Sequence, residues 1–246
     1  MARSAPAVNG RGCAARRHEK IEPLERRNVL AGLAAMIRAR KGPRPLKVAI
    51  DGRCAAGKTS LADELAFDLR ATGLDILRPS VDGFHHPRAY RYRQGELSAK
   101  GYYDDAFDYH AVIDGLLAPL SRDRFPAECR QVAHDVRTDL PSDAPSVLAG
   151  TNTILLFDGL FLFRAELNPY WDFRILLDVD AATSVDRAVH RDGGDSEAAI
   201  RQKYSLRYEP AWLMYVRLEQ PEQKADVIVD NRDLARPRLT SGKTPV

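Results

Sequence analysis

The chain has 246 residues, 44% of them hydrophobic and 29% charged, which is the composition of an ordinary globular protein with enough apolar material for one core. No apolar stretch approaches the ~20 residues of a membrane-spanning helix, and Met1 to Gly12 lacks a signal-peptide core. The net charge of +3 is uneven: residues 1–45 hold eleven Lys/Arg against three Glu, a balance of +8, leaving −5 on the rest and arguing against a nucleic-acid partner for the body.

In chain order, residues 1–20 read as a disordered basic tail, a composition also shared with transit peptides; otherwise a cytoplasmic location is the default. Cys13, Cys54 and Cys129 are scattered and odd in number, so neither a disulfide framework nor a zinc pattern is expected. Leu24, Leu30, Leu33, Ala34 and Ile37 recur at helical spacing and predict an amphipathic helix over 23–40. Gly42-Pro43-Arg44-Pro45 ends it.

Leu46 to Ile50 reads as a short apolar strand, Thr59 to Leu69 as a helix and Ile76 to Val81 as a second strand. A helix is expected over Phe107 to Leu120, and residues 121–150 carry only weak strand signals around 129–137. Ile154–Phe157 and Phe173–Leu177 have the apolar character of strands buried on both faces. Helices are expected over Ala181–His190 and Ser196–Leu218, separated by Asp192-Gly193-Gly194-Asp195, and a last strand over Ala225–Val229. Short apolar strands alternating with helices predict an α/β fold, a doubly wound parallel sheet with helices on both faces.

Gly52-Arg53-Cys54-Ala55-Ala56-Gly57-Lys58-Thr59 matches the P-loop pattern in full, between a strand and a helix. Its glycines let successive backbone N–H groups curl around phosphate oxygens, and the helix opening at Lys58, Thr59 and Ser60 adds its positive end. Lys58 is placed for the β/γ-phosphates of ATP and the Thr59 hydroxyl for Mg²⁺. Cys54 has two readings, a thiol activated by the helix N-terminus and an inert variable position; the second is favoured.

A second Mg²⁺ carboxylate belongs at the end of a neighbouring strand. Asp158 and the pair Asp178 and Asp180 both qualify, and Gly159 favours Asp158 by leaving room after it. Asp82 ends a third strand, where it reads equally as a turn residue before Gly83 and as a base for an attacking hydroxyl. His85 and His86 are adjacent and point apart, which suits a structural or substrate contact better than a metal pair.

With these residues in place the chain resembles the uridine kinase family, within the wider group that includes phosphoribulokinase and pantothenate kinase. The resemblance covers about residues 46–231. It is carried by the P-loop, Ser80–His85, Asp105–Asp108, Leu155–Gly159, Arg187–Asp192 and Ala225–Val229. It implies a kinase domain over 46–235 with a lid at about 191–200 and a small hairpin insertion. An N-terminal helix and linker (21–45) would precede it and a tail (236–246) follow.

The resemblance further implies that Asp82 is the catalytic base and a Mg²⁺ neighbour, and that Asp158 stands where an acid, usually Glu, meets the metal. Arg187 and Arg191 would clamp the transferring phosphoryl from the lid. It also implies ATP and Mg²⁺ as cofactors, a small hydroxyl-bearing substrate, and a homo-oligomer as a common arrangement.

Two segments depart from the family. The lid turn is Gly193-Gly194-Asp195 in place of an Arg-Gly-Arg-like turn. The acceptor segment reads Gly101-Tyr102-Tyr103-Asp104-Asp105-Ala106-Phe107-Asp108, so that Asp104 or Asp105 would replace the ribose-holding acid after a shift, with Tyr103 a further candidate substrate contact. Around the hairpin, Cys129 and Gln131 replace aromatics before His134, leaving His85, His134 and Arg137 as the remaining acceptor contacts. The implied activity is phosphorylation of a nucleoside-like hydroxyl. A sugar, a sugar phosphate or pantothenate is an alternative acceptor, and a nucleotide-sensing protein without catalysis is an alternative class.

Overall fold

The computed structural model describes residues 24–192 and 196–241. The basic tail (1–20), the lid turn at Gly193–Asp195 and the last residues, 242–246, lie outside them.

Strand β1 (Leu46–Gly52) is buried at every position. Its neighbours in sequence order are β2 (Asp75–Leu77), β3 (Thr153–Asp158), β4 (Phe173–Asp178), β5 (Val227–Asp230) and β6 (Arg238–Ser241). They form one sheet in the order β6-β5-β4-β1-β3-β2. All neighbours run parallel except β6, which pairs antiparallel with β5. The burial of β1 and β3 at every position follows from this place, since a central parallel strand meets helices on both sides.

One face packs Val29, Leu30, Leu33 and Ile37 of helix α1 (Leu24–Arg40) and Leu61, Leu65 and Leu69 of helix α2 (Lys58–Arg70) against Val48 and Ile50. Arg26 of α1 also forms an ion pair with Glu64 of α2, at 2.7 Å. The N-terminal helix therefore shares a core with the domain expected to start at residue 46. The other face buries Phe157, Phe161, Trp171 and Tyr215 beneath the helix Glu209–Glu219 and the helical run Tyr109–Ser121.

Four expectations are corrected. The strand expected over 76–81 pairs only through Leu77; Pro79, which has no N–H to give a ladder, follows where the chain leaves the sheet. A single bridge from Ser80 to Asp158 returns it, and Val81–Phe84 forms a tight 3₁₀ turn. The helix expected from Phe107 begins at Tyr109, because the Asp108 side chain caps Ala111 N–H at 2.9 Å. Residues 99–105, read without a helix, form one that Ser98 caps. Finally, the expected tail from 236 contributes strand β6.

Residues 127–149 form two short antiparallel ladders, Ala127–Cys129 with Val147–Ala149 and His134–Asp135 with Leu140–Pro141. This is the small hairpin insertion. Among the described residues no helix is long and apolar enough to cross a membrane.

Candidate active site

The phosphate loop leaves β1 through backbone that only a few residues tolerate. Gly52 has φ +152°, and a Cβ there would stand 2.6 Å from the Leu177 carbonyl oxygen. Gly57 caps α2 at φ +93°, with the Asn231 amide nitrogen 2.8 Å from where its Cβ would be. Gly52→Ala is therefore expected to cost on the order of 3 kcal/mol or more, because the obstructing atom is backbone and cannot rotate away. Thermal unfolding of the purified variant checks this, and an unchanged midpoint would contradict it.

The sequence-predicted loop residues converge. Lys58 Nζ donates to the carbonyls of Gly52, at 2.8 Å, and Arg53, at 2.5 Å. The Arg53 guanidinium forms a bidentate pair with Glu209. Ala55 carries a left-handed φ of +55°, Ala56 is fully buried, and Ser60 lies exposed on the first turn of α2. Cys54 contacts the Tyr102 hydroxyl at 3.7 Å, and its carbonyl accepts a hydrogen bond from Ser184 Oγ at 2.6 Å. Burial pushes the Cys54 thiol pKa up despite the nearby Lys58 charge, which removes the activated-thiol reading.

Thr59 and Asp158 meet directly, Thr59 Oγ1 donating to Asp158 Oδ2 at 2.7 Å. Asp158 is buried at the end of β3. An alcohol and a carboxylate at the head of a phosphate loop are hard oxygen donors suited to Mg²⁺, which prefers one or two protein ligands alongside phosphate oxygens. Among the described residues no cluster of three His, Cys, Asp or Glu offers a rival site. Asp178 ends β4 with an exposed side chain, and Asp180 caps the helix Ala181–Arg191 through Thr183 N–H at 2.7 Å.

Asp82 stands on the turn after β2, joined to Asp158 through Ser80: Ser80 Oγ donates to the Asp158 carbonyl at 3.2 Å and accepts from Asp82 N–H at 3.4 Å. The Asp82 side chain is 71% exposed and has no hydrogen bond to Thr59 or the Asp158 carboxylate; its polar contact is His85 Nε2 at 3.6 Å. His85 Nδ1 lies 3.0 Å from the Ala106 carbonyl, which can only accept, so this nitrogen carries a proton. The ring stacks on Phe107 at 4.6 Å. Crowding by the surrounding rim works to raise the Asp82 pKa; the His85 contact and the charges of Lys58 and Arg191 outweigh it and leave the pKa below the ordinary carboxylate value.

The two expected lid arginines separate. Arg191 pairs with Asp192 at 2.7 Å and lies within electrostatic reach of Asp82. Arg187 instead donates to the carbonyls of Asn231, at 2.6 Å, and Arg232, at 3.0 Å, bracing the phosphate loop against the end of β5. In this arrangement it braces the loop's flank, its other Nη lying 3.4 Å from the Ala56 carbonyl.

The acceptor residues are dispersed for a helical reason. Within Ala99–Asp105 consecutive side chains turn about 100° apart, so neighbours cannot share one ligand. Tyr102 reaches Cys54, whereas Tyr103 packs on Phe161 at 5.2 Å and points its hydroxyl at Glu219, 3.4 Å away. Asp104 pairs with Lys100. Asp105 is buried and accepts from Arg93 at 2.6 Å and Gln94 at 2.7 Å. Tyr103, Asp104 and Asp105 thus each engage packing or ion-pair partners within the chain.

His134 is also committed, its Nε2 3.1 Å from Asp139 Oδ1. Its hairpin nevertheless docks beside Asp82, Ala133 N–H donating to the Gly83 carbonyl at 2.7 Å. Arg137 projects, exposed, from the hairpin end. Asp139 walls a cavity of about 520 Å³ with Arg88, Ala89, Tyr92 and Glu96. A second cavity of similar size lies at the opposite end of β1, around Leu46, Lys47 and Asp172, away from the loop.

Residues not singled out in the sequence complete the site. Arg78 Nη1 donates to Asp158 Oδ1 at 2.7 Å. Asp51, fully buried, accepts from Gly52 N–H at 2.7 Å, Leu162 N–H at 3.0 Å and the Tyr215 hydroxyl at 2.5 Å. Asp51, an acid breaking an apolar strand just before the loop, carried a visible signal. Arg78 carried none.

Comparison with known proteins agrees with this geometry. No protein-family model matches the chain. Over 193 residues, 76% of the chain and 87% of the relative, it is 22% identical to the uridine kinase of Halalkalibacterium halodurans. The fold is similar to a possible uridine kinase from Bacillus stearothermophilus, with TM-score 0.66 and 28% identity over 83% of this chain and 98% of that one. It is also similar to a candidate fructose transport system kinase from Silicibacter sp. TM1040, with TM-score 0.61 and 24% identity over 76% and 94%. In sequence and in its kinase-like P-loop fold, the chain is thus similar to uridine kinases.

Proposed function

We propose that the chain is an ATP- and Mg²⁺-dependent kinase that transfers the γ-phosphoryl of ATP to a hydroxyl of a small, nucleoside-like acceptor. The observation that carries this reading is Asp82, an ionised, solvent-facing carboxylate within electrostatic reach of Lys58 and Arg191. An acceptor hydroxyl needs a base beside the cation that meets the β/γ-phosphates. A protein that only sensed nucleotide would have no use for one.

In this mechanism Lys58 exchanges the Gly52 and Arg53 carbonyls for phosphate oxygens, and the loop N–H groups cradle the rest of the triphosphate. Thr59 and Asp158 are the residues that would hold Mg²⁺, which would supply neutralisation of the triphosphate's charge. Arg191 exchanges Asp192 for the transferring phosphoryl, and Asp82 orients the acceptor and takes its proton.

The nucleoside-like acceptor rests on the uridine kinase relatives; a sugar or pantothenate is the second reading, because Asp104 and Asp105 already pair with Lys100 and Arg93 of the chain itself. An ADP-release assay with Mg-ATP across nucleosides, hexoses, pentose phosphates and pantothenate separates the two. Stimulation by uridine or cytidine is the expected result. A response to a sugar or pantothenate alone would move the acceptor, and no response to any would favour the sensor.

A further inference from the structure

We propose that Arg78 is a positioning residue that makes divalent-cation binding conditional on nucleotide, by holding one oxygen of Asp158 with its own positive charge. This rests on the kinase reading above, in which Thr59 and Asp158 are the cation's protein ligands.

Arg78 leaves β2 at the point where the chain departs from the sheet, beside the strand that ends in Asp158. Its Nη1 donates to Asp158 Oδ1 at 2.7 Å and its Nη2 to the Thr59 carbonyl at 3.0 Å, while Asp63 lies 2.9 Å from Nε. The Arg78 side chain is 12% exposed and that of Asp158 3%. One guanidinium therefore touches both residues that would hold the cation, and fixes their spacing before any cation arrives. Asp158 Oδ2 and Thr59 Oγ1, already 2.7 Å apart, are the pair left for a metal.

Charge decides the consequence. Arg78 shares its charge between the buried Asp158 and the exposed, solvent-screened Asp63, so that the Asp158 carboxylate is largely compensated, and a divalent cation entering alone would bring two further positive charges beside Arg78 and Lys58. Triphosphate oxygens supply the missing negative charge and most of the coordination shell, with Arg78 left where it is. Removing the guanidinium would expose a buried, uncompensated carboxylate, and bare cation would then bind to it. A purely structural role predicts the opposite, because a loosened Asp158 would bind metal less well.

The test is Mn²⁺ titration of the full chain followed by electron paramagnetic resonance, with and without a non-hydrolysable ATP analogue, on wild type, Arg78→Gln and Arg78→Lys. Circular dichroism checks that each variant folds. Without nucleotide, Arg78→Gln is expected to bind Mn²⁺ on the order of tenfold more tightly than wild type, and Arg78→Lys, which keeps the charge, close to wild type. Equal or weaker binding by Arg78→Gln overturns the proposal. Should that variant not fold, wild type alone decides: nucleotide must tighten Mn²⁺ binding by roughly a hundredfold or more, and equal binding without it overturns the proposal. If wild type takes up no Mn²⁺ even with the analogue, the kinase reading falls and this proposal with it. If it does, and only the Arg78→Gln result fails, Arg78 alone is misassigned.

Discussion

Asp82→Asn is expected to lower kcat by roughly 10²- to 10⁴-fold, the usual worth of a positioned general base, with ATP affinity within about threefold of wild type. The substitution keeps the shape and removes only the proton-accepting charge. Its structural cost should be small, within about 0.5 kcal/mol, because the side chain is 71% exposed and the turn is held by the backbone contact of Asp82 N–H with Ser80. The pH profile offers an independent reading. A carboxyl held below its ordinary value of 3.8 is ionised throughout the neutral range, so Asp82 contributes no acid limb to kcat/KM above about pH 4. Normal turnover by Asp82→Asn in a steady-state assay would remove the acceptor base, and the proposed chemistry with it.

Asp51→Ala is expected to cost about 3–5 kcal/mol of stability, which for a domain of this size is a fall in Tm of roughly 6–20 °C. The carboxylate joins three parts of the fold: the head of the phosphate loop through Gly52, the segment after β3 through Leu162, and the helix Glu209–Glu219 through Tyr215. The Tyr215 hydroxyl accepts in turn from Phe163 N–H at 3.0 Å, so its own proton must go to Asp51. Alanine would leave two N–H groups and one hydroxyl buried without an acceptor.

Burial raises the Asp51 pKa to about 6, against the pull of these donors and of Lys58. A folded-state pKa above the unfolded 3.8 means that the folded protein binds the proton more tightly. The contribution of Asp51 is therefore largest below pH 4 and falls by ~3 kcal/mol as pH rises through 6. Denaturant unfolding of wild type and Asp51→Ala from pH 4 to 7 should show the gap between them narrowing. A constant gap would contradict the raised pKa.

How much of the site was legible in the sequence varies with how local each part is. The phosphate loop is a property of eight consecutive residues, and its demands on Gly52 and Gly57 are backbone demands visible in the residue types themselves. Asp158 was legible as an acid ending an apolar run, because a parallel sheet brings its strand ends to one edge, whereas Asp82 reaches that edge on a turn beyond its strand. The acceptor segment was less legible. Asp104 or Asp105 was expected to replace the ribose-holding acid, and a helix through Asp105 turns the two apart and gives Asp104 to Lys100 and Asp105 to Arg93. Arg187 shows the same limit, since nothing in its own neighbourhood announces the Asn231 carbonyl it binds.

By itself, then, the sequence determined the fold class, the phosphate loop and the strand-end carboxylates, because strand burial, helix periodicity and loop curvature are written in neighbouring residues. Only the tertiary structure decided which charges meet. Thr59 and Asp158 are 99 positions apart, Arg78 and Asp158 80, and Asp51 and Tyr215 164. Pairings over such separations follow from the order of strands in the sheet, and no local pattern encodes them. The loop was readable from its own residues; the distant side chains that meet it were chosen by packing.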